Sequence, residues 1–266
     1  RLPQEDGPIR SHHGIARSDR LMSLARFHLP PDRWSNDAAC LEGEEAKHCA
    51  QVMRRGVGDE IIIFDGVGNQ ARGVITASTG RQVELKLIEW HQTPPPAVSV
   101  SLIQAIPKGS NMELIIEKAV ELGINHIQPV ITDRTIVRLD TKEAHKKQEK
   151  WQRLALQACK QCGQNRLPTV GVPMPFKEAV QNTPSASLKI IAAIQPAALP
   201  LKKLLKSPSV DRTAVAHAII AIGPEGDFSP AEYDVAAKSG FLPLSLGKII
   251  LRVETAALFA MSVVNH

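Results

Sequence analysis

The run Ala218-Ile219-Ile220-Ala221-Ile222-Gly223 carries no charge and no alternation, and nothing else in the chain constrains the fold as tightly. A strand that is apolar on both faces must be covered on both, as strands are in a parallel sheet layered between helices. This one opens at once into Gly223-Pro224-Glu225-Gly226, and a later apolar stretch ends in Leu251-Arg252-Val253-Glu254-Thr255-Ala256. In open α/β sheets ligands settle outside the carboxyl ends of the strands, where glycine lets the backbone come close and present bare N–H and C=O groups. The sequence therefore predicts a backbone shelf with a charged pair, Arg252 and Glu254, beside it.

The rest of the C-terminal half fits that sheet. VSVSLIQAI, HIQPVIT and LKIIAAI read as further strands, and helical patterns lie between them. One helix carries Met112, Ile115, Ile116, Ala119 and Val120, opens on a capping box of Ser110 and Glu113, and stops at Gly123. A basic helix is expected from about Thr141 to Gln161, ended by Gly163. Ser229-Pro230-Ala231-Glu232 predicts a second capping box with proline at the first helical position. From Ala25 to about Glu89 the pattern is different: EIIIF, an Asp65-Gly66 turn, ARGVITA and QVELKLIEW suggest short hairpin strands of a small antiparallel barrel. Consecutive prolines end both ladders and helices, so Thr93-Pro94-Pro95-Pro96 marks the expected boundary. The expected organisation is a disordered extension over 1–21, with Met22 as a natural start, a β-barrel domain over 22–93 and an α/β domain over 97–266.

With 266 residues, 43% of them hydrophobic, the chain has ample material for packed cores. A net charge of +5 points weakly to an anionic partner, and 4% aromatic residues argue against extensive base stacking. No apolar run approaches the roughly 18 residues of a membrane span, and the first twenty residues lack the apolar middle of a secretory signal, so a cytoplasmic protein without a membrane partner is expected. Cys159 and Cys162 form a C-x-x-C, but no second such pair or His pair accompanies it, and both fall in the helical pattern. They read as reduced thiols, with no metal. Gly66-Val67-Gly68 with Ala71 imitates a dinucleotide loop, yet the segment after it reads as a strand and not a helix.

Taken together, several segments carry a specific resemblance. They are His48, Val52-Met53-Arg54 and Gly58-Asp59; Phe64-Asp65-Gly66; Lys108-Gly109; Glu117-Lys118-Ala119 with Glu121-Leu122-Gly123; Gln161-Cys162-Gly163 with Asn165-Arg166; Gly223-Pro224-Glu225-Gly226; and Leu251-Arg252 to Ala256. From about Ala25 onward the chain resembles the RsmE family of SPOUT-class 16S rRNA (uracil-N3)-methyltransferases. The resemblance implies a PUA-like RNA-binding barrel followed by a parallel-sheet domain with a trefoil knot. It also implies S-adenosyl-L-methionine as cofactor, a homodimer, and 16S rRNA or the small ribosomal subunit as partner. By that likeness the cofactor-binding loops are Ile194-Gln195-Pro196, Ile222-Gly223-Pro224-Glu225-Gly226, and Leu246 to Leu251, with Leu246, Gly247, Ile249 and Leu251 as contacts. The family's basic residue before the Leu-Arg pair is matched by Ile249, with Lys248 one position early.

The chemistry so implied makes demands on side chains. Uracil N3 becomes nucleophilic only when its proton leaves, and the charge then spreads onto the flanking carbonyl oxygens. Arg252 is the expected cation for that anion. Glu254 has two readings, a base for the uracil proton or a cap on the last helix that orients Arg252. Glu225 either faces the cofactor amine or satisfies backbone N–H groups in its own loop. The candidates for RNA contact are Arg26, Arg54, Lys108, Arg134, Arg138, Asn165 and Arg166, and Lys142, Lys146, Lys147, Lys150 and Arg153 add charge on the long helix. His48 reads as a packing residue of the barrel. Two other readings stay open: an RNA-binding protein of this fold without catalysis, and a nucleotide-dependent oxidoreductase.

Overall fold

The computed structural model describes residues 24–184, 188–206 and 215–265, so the extension expected over 1–21 and the start at Met22 lie outside the described residues. Two compact units divide the chain. The first takes the described residues up to Phe64 together with Gln70–Trp90, and the second takes Asp65–Asn69 with His91 onward.

The first unit is built on β1 (Arg26–His28), β2 (Ala38–Glu42), β3 (Glu60–Phe64), β4 (Asn69–Ser78) and β5 (Gln82–Gln92), in the sheet order β1-β3-β4-β5-β2. The predicted hairpin signals are where β3 and β4 pair antiparallel, as do β2 and β5. The expectation of a wholly antiparallel arrangement fails at β1, which runs parallel to β3 with Arg26 opposite Ile62. A parallel pair needs a long crossover. The segment between these strands supplies one, holding β2, a short helix α1 (Gly43–Lys47) and a π-helical turn at His48–Val52. Phe27, Leu41, Ile61, Ile63, Ile75 and Val83 form the core, and the His48 ring meets Phe27 edge-on at 5.8 Å.

The second unit contains β6 (Ser99–Ala105), α2 (Asn111–Glu121), β7 (His126–Ile131), α3 (Thr141–Cys162), β8 (Thr169–Val170), β9 (Met174–Pro175), α4 (Phe176–Gln181), β10 (Leu188–Ala192), α5 (Leu201–Leu204), β11 (His217–Ile222), α6 (Pro230–Lys238), β12 (Leu242–Leu244) and α7 (Val253–Asn265). The sheet order is β12-β10-β11-β6-β7-β8, with β9 also on β7. Its paired strands are parallel. β11 lies between β10 and β6, and Ala218 to Ile222 are buried as their unbroken apolar character requires.

Helix boundaries follow local chemistry, with one exception. α2 buries the five residues that its periodicity selects. Ser110, however, does not cap it. Its backbone is at φ −101, ψ 8, its side chain makes no cap bond, and the Glu113 carboxylate turns to Lys150 Nζ at 2.8 Å. Ser229 does cap α6, accepting from the Glu232 N–H while the Glu232 carboxylate accepts from the Ser229 N–H. α3 opens on a reciprocal capping box of Asp140 and Glu143 and ends at Gly163, whose φ of 83 is left-handed.

Asp65 organises the Asp65–Asn69 loop from within. Its Oδ1 accepts from the backbone N–H groups of Val67, Gly68 and Asn69 at 2.8, 3.1 and 3.0 Å, and its Oδ2 accepts from Asn69 Nδ2 at 2.6 Å. The Gly68 N–H donates to the Asn165 carbonyl, and the Thr93 N–H donates to the Gly68 carbonyl. All four cysteines are free thiols, and burial pushes Cys49 up to about 11. Among the described residues no group of His, Cys, Asp and Glu is arranged to hold a metal ion, and no helix is long and apolar enough to cross a membrane.

Candidate active site

β12, β10, β11 and β6 are neighbours in the sheet, so the segments that leave their carboxyl ends converge. They line one cavity of about 610 Å³. Of the residues expected to hold a cofactor, Ile194, Gln195, Ile222, Gly223, Pro224, Glu225, Leu246, Gly247, Ile249 and Leu251 all line it, and so do Arg252 and Glu254. Pro196 and Gly226 do not. Gly226 instead gives its carbonyl to Arg134 Nη1 at 2.6 Å, and a Cβ there would meet the Arg134 side chain at 3.4 Å.

Gly223 is the glycine that shapes the shelf. A Cβ at this position would stand 3.2 Å from the Phe228 ring, and Phe228 is buried against Phe176 with ring centroids 4.5 Å apart. Because that aromatic pair fills the space behind the loop, the backbone alone faces the cavity. Gly247 is required for another reason: its φ of 121 is closed to residues with a side chain, although open space surrounds it.

The charged groups divide by sign. Glu225, Asp227 and Glu254 line the cavity together with Lys248 and Arg252. Glu225 Oε1 accepts from the Lys108 backbone N–H at 2.9 Å, so its carboxylate ties its loop to the segment after β6 and does not satisfy its own loop. Glu254 Oε2 accepts from Asn111 Nδ2 at 3.2 Å. Among the described residues Glu254 makes neither a cap bond to the first turn of α7 nor an ion pair with Arg252. The reason is geometric, since the first residue of α2 offers an amide donor to that carboxylate. Besides Ser245, the polar residues of the cavity that the sequence reading missed are Asn111 and Asp227. A weak signal existed for each: Asn111 opens a helix just after a predicted strand, and Asp227 directly follows the Gly-rich turn.

The residues expected to touch RNA fall into three groups. Lys108 and Arg134 are exposed and flank the β11 loop through the bonds just described, and Arg138 is exposed with Nη1 on the Thr135 carbonyl. Arg54 is exposed at φ 51 in the first unit, where Arg26 is half-buried, 5.0 Å from the Phe64 ring centroid and bonded to Gln70. Asn165 and Arg166 serve the frame: Asn165 is 4% exposed with Nδ2 on Thr93 Oγ1, and Arg166 Nη2 donates to the Thr93 carbonyl at 2.9 Å. On α3, Lys150 pairs with Glu113 and Lys147 lies over the Trp151 ring.

A family model for an RNA methyltransferase domain matches residues 94–265, and one for an RNA methyltransferase PUA domain matches residues 41–88. The ribosomal RNA small subunit methyltransferase E of Bacillus subtilis is 30% identical over 85% of this chain and 89% of its own length. The chain belongs to this methyltransferase E family. Among solved structures, the methyltransferase E of Neisseria gonorrhoeae bound to S-adenosyl methionine superposes with a TM-score of 0.79 and 32% identity, covering 90% of this chain and 96% of that one. A putative methyltransferase of Legionella pneumophila, in complex with the same cofactor, also reaches 0.79, with 30% identity and the same coverage. The methyltransferase E family thus accounts for both units, a PUA-type sheet and a parallel α/β sheet.

Proposed function

We propose that this chain transfers a methyl group from S-adenosylmethionine to N3 of a uridine in 16S ribosomal RNA. The observation that carries the reading is a cavity of about 610 Å³ into which the ends of four adjacent strands bring a backbone shelf, Arg252 and Glu254. That volume is in the range of a small-molecule cofactor site. The Gly223 shelf and the three loops after β10, β11 and β12 would hold the cofactor, which supplies the methyl group. Mixed charge in the cavity suits a ligand that carries both an ammonium and a carboxylate.

The chain's own residues supply positioning and fixed charge. Arg252 is exposed at the rim and among the described residues its side chain has no ion pair, so the guanidinium is available to neutralise charge that grows on the uracil carbonyl oxygens as N3 loses its proton. Glu254, anchored by Asn111, would accept that proton directly or through a water, a role supported by its position on the cavity wall. Exposed Arg54, Lys108, Arg134 and Arg138 are the side chains proposed for the RNA backbone, where contacts position without reading sequence. The enzyme works in the cytoplasm, where its ribosomal RNA is. A homodimer belongs to the same reading, supported by Ile249 and Ile250 at 80% and 78% exposure and by Phe259 and Val263 on α7. So does a knot, supported by the bond from the Ser245 N–H to the Leu199 carbonyl, which joins segments that lie on either side of β11 in the chain.

Calorimetry and RNA mapping test this together. S-adenosylmethionine binding, with loss of one N3-methyluridine stop in reverse transcription of 16S rRNA from cells lacking the protein, is the expected result. RNA binding without cofactor binding would leave a non-catalytic RNA-binding protein.

A further inference from the structure

Asp227 is the one residue lining the cavity whose backbone is left-handed without being glycine, with φ 64. Such a conformation disfavours every residue with a Cβ, and aspartate tolerates it when its short carboxylate bonds locally. Asp227 Oδ1 accepts from the Phe228 N–H at 2.8 Å and from the Tyr233 hydroxyl at 2.7 Å. The same hydroxyl also reaches the Ala192 carbonyl at 3.3 Å, at the end of β10. Tyr233 therefore spans two of the loops that close the cavity. One oxygen of the carboxylate is spent on the frame. Asp227 Oδ2 has no partner among the described residues.

A glycine would satisfy the turn with less strain, so a carboxylate held there by a tyrosine calls for a use. We propose that Asp227 is a cofactor-binding residue, its Oδ2 accepting a hydrogen bond from a donor group of the bound cofactor, and that Tyr233 is the positioning residue that fixes this oxygen toward the cavity. The inference rests on the methyltransferase reading above. The ligand chemistry is a hydrogen-bond donor, which the cofactor offers in three places, as the ammonium of its amino-acid end, as the hydroxyls of its ribose and as the 6-amino group of its adenine. The Tyr233 hydroxyl stays protonated throughout the neutral range, since burial and the Asp227 charge both raise its pKa, so it remains a donor.

Calorimetry with S-adenosylhomocysteine and with methylthioadenosine, which keeps the ribose and lacks the amino-acid end, tests the proposal on the full chain. Asp227→Asn, which tolerates the same backbone, weakens S-adenosylhomocysteine by about tenfold or more, the usual scale for losing a hydrogen bond to a charged group. Asp227→Gly weakens it as much while its thermal midpoint holds or rises, because strain is relieved as the ligand contact is lost. Weakened binding of both ligands assigns the adenosine moiety, its ribose hydroxyls or adenine amine, and weakening confined to S-adenosylhomocysteine assigns the ammonium. Tyr233→Phe weakens binding in the wild-type background and adds nothing in the Asp227→Asn background, whereas an equal further loss there would overturn the positioning role. Wild-type binding with unchanged affinity in Asp227→Asn overturns this inference alone. A wild-type chain that binds neither ligand overturns the methyltransferase reading beneath it.

Discussion

Arg252 and Gly223 mark the two ways in which a single residue shapes this site. Arg252 acts by charge: Arg252→Ala is expected to lower the single-turnover methyl-transfer rate by roughly 10²-fold with a smaller change in cofactor affinity, as loss of one preorganised electrostatic donor does. Arg252→Lys recovers part of that loss, because an ammonium keeps the charge but not the planar fork. Wild-type turnover in the alanine variant would remove Arg252 from the chemistry. Gly223 acts by what it lacks. Gly223→Val must push into Phe228 or project into the cavity, so cofactor binding measured by calorimetry should fall below detection, whereas Gly226→Val, which meets only the flexible Arg134 side chain, should be tolerated better. At this scale the sequence was uneven as a guide. Arg252 and the glycine turn stand out because their neighbours in the chain are their neighbours in space. The Glu254 to Asn111 bond spans 143 positions, and no local pattern encodes it.

Elements were legible where their own periodicity and ends decide them. β11 announces itself as an unbroken apolar run from Ala218 and β10 as an apolar run interrupted only by Lys189, α2 as five residues at helical spacing, and α6 by a capping box that forms as expected. The element reading failed where tertiary partners outbid local chemistry. Glu113 has a lysine of α3 within reach, so the box at Ser110 does not form, and the turn at α1 and His48–Val52 sits among strand-like segments whose alternation masked it. The capping box that the sequence reading passed over, Asp140 with Glu143, opens the longest helix described. Asp140→Ala removes it and should destabilise the chain by about 1 kcal/mol, the usual cost of a lost N-cap, read as a lower denaturant midpoint. An unchanged midpoint would mean that packing of Trp151 and Ala155 against the rest of the unit holds the first turn without help.

At the scale of the molecule, pH acts at the end of the large sheet opposite the cavity. His126 and His217 open β7 and β11, and both have pKa values lowered from 6.5, His217 by burial and His126 chiefly by burial, with a Gln128 hydrogen bond opposing and the His217 charge adding to the fall. The unfolded chain therefore binds more protons than the folded one below that value. Stability should be complete above about pH 6.5 and decline as pH falls through the folded-state values. Thermal midpoints across pH 4 to 8 should show the decline, and the doubly substituted His126→Gln, His217→Asn chain should show a flatter one. A decline of equal steepness in that variant would assign acid sensitivity to other groups. Five residues, the β3–β4 connection Asp65–Gly68 and the first residue of β4, Asn69, precede the boundary expected at the prolines yet belong with the second unit, where Asn165 and Thr93 bond to Gly68. For recombination this has a plain meaning. A single crossover near residue 93 between two diverged relatives would pair one parent's Asp65–Asn69 with the other's Asn165 and Arg166, so viable chimeras must inherit both segments from one parent, and the two units can diverge only as far as that shared segment allows.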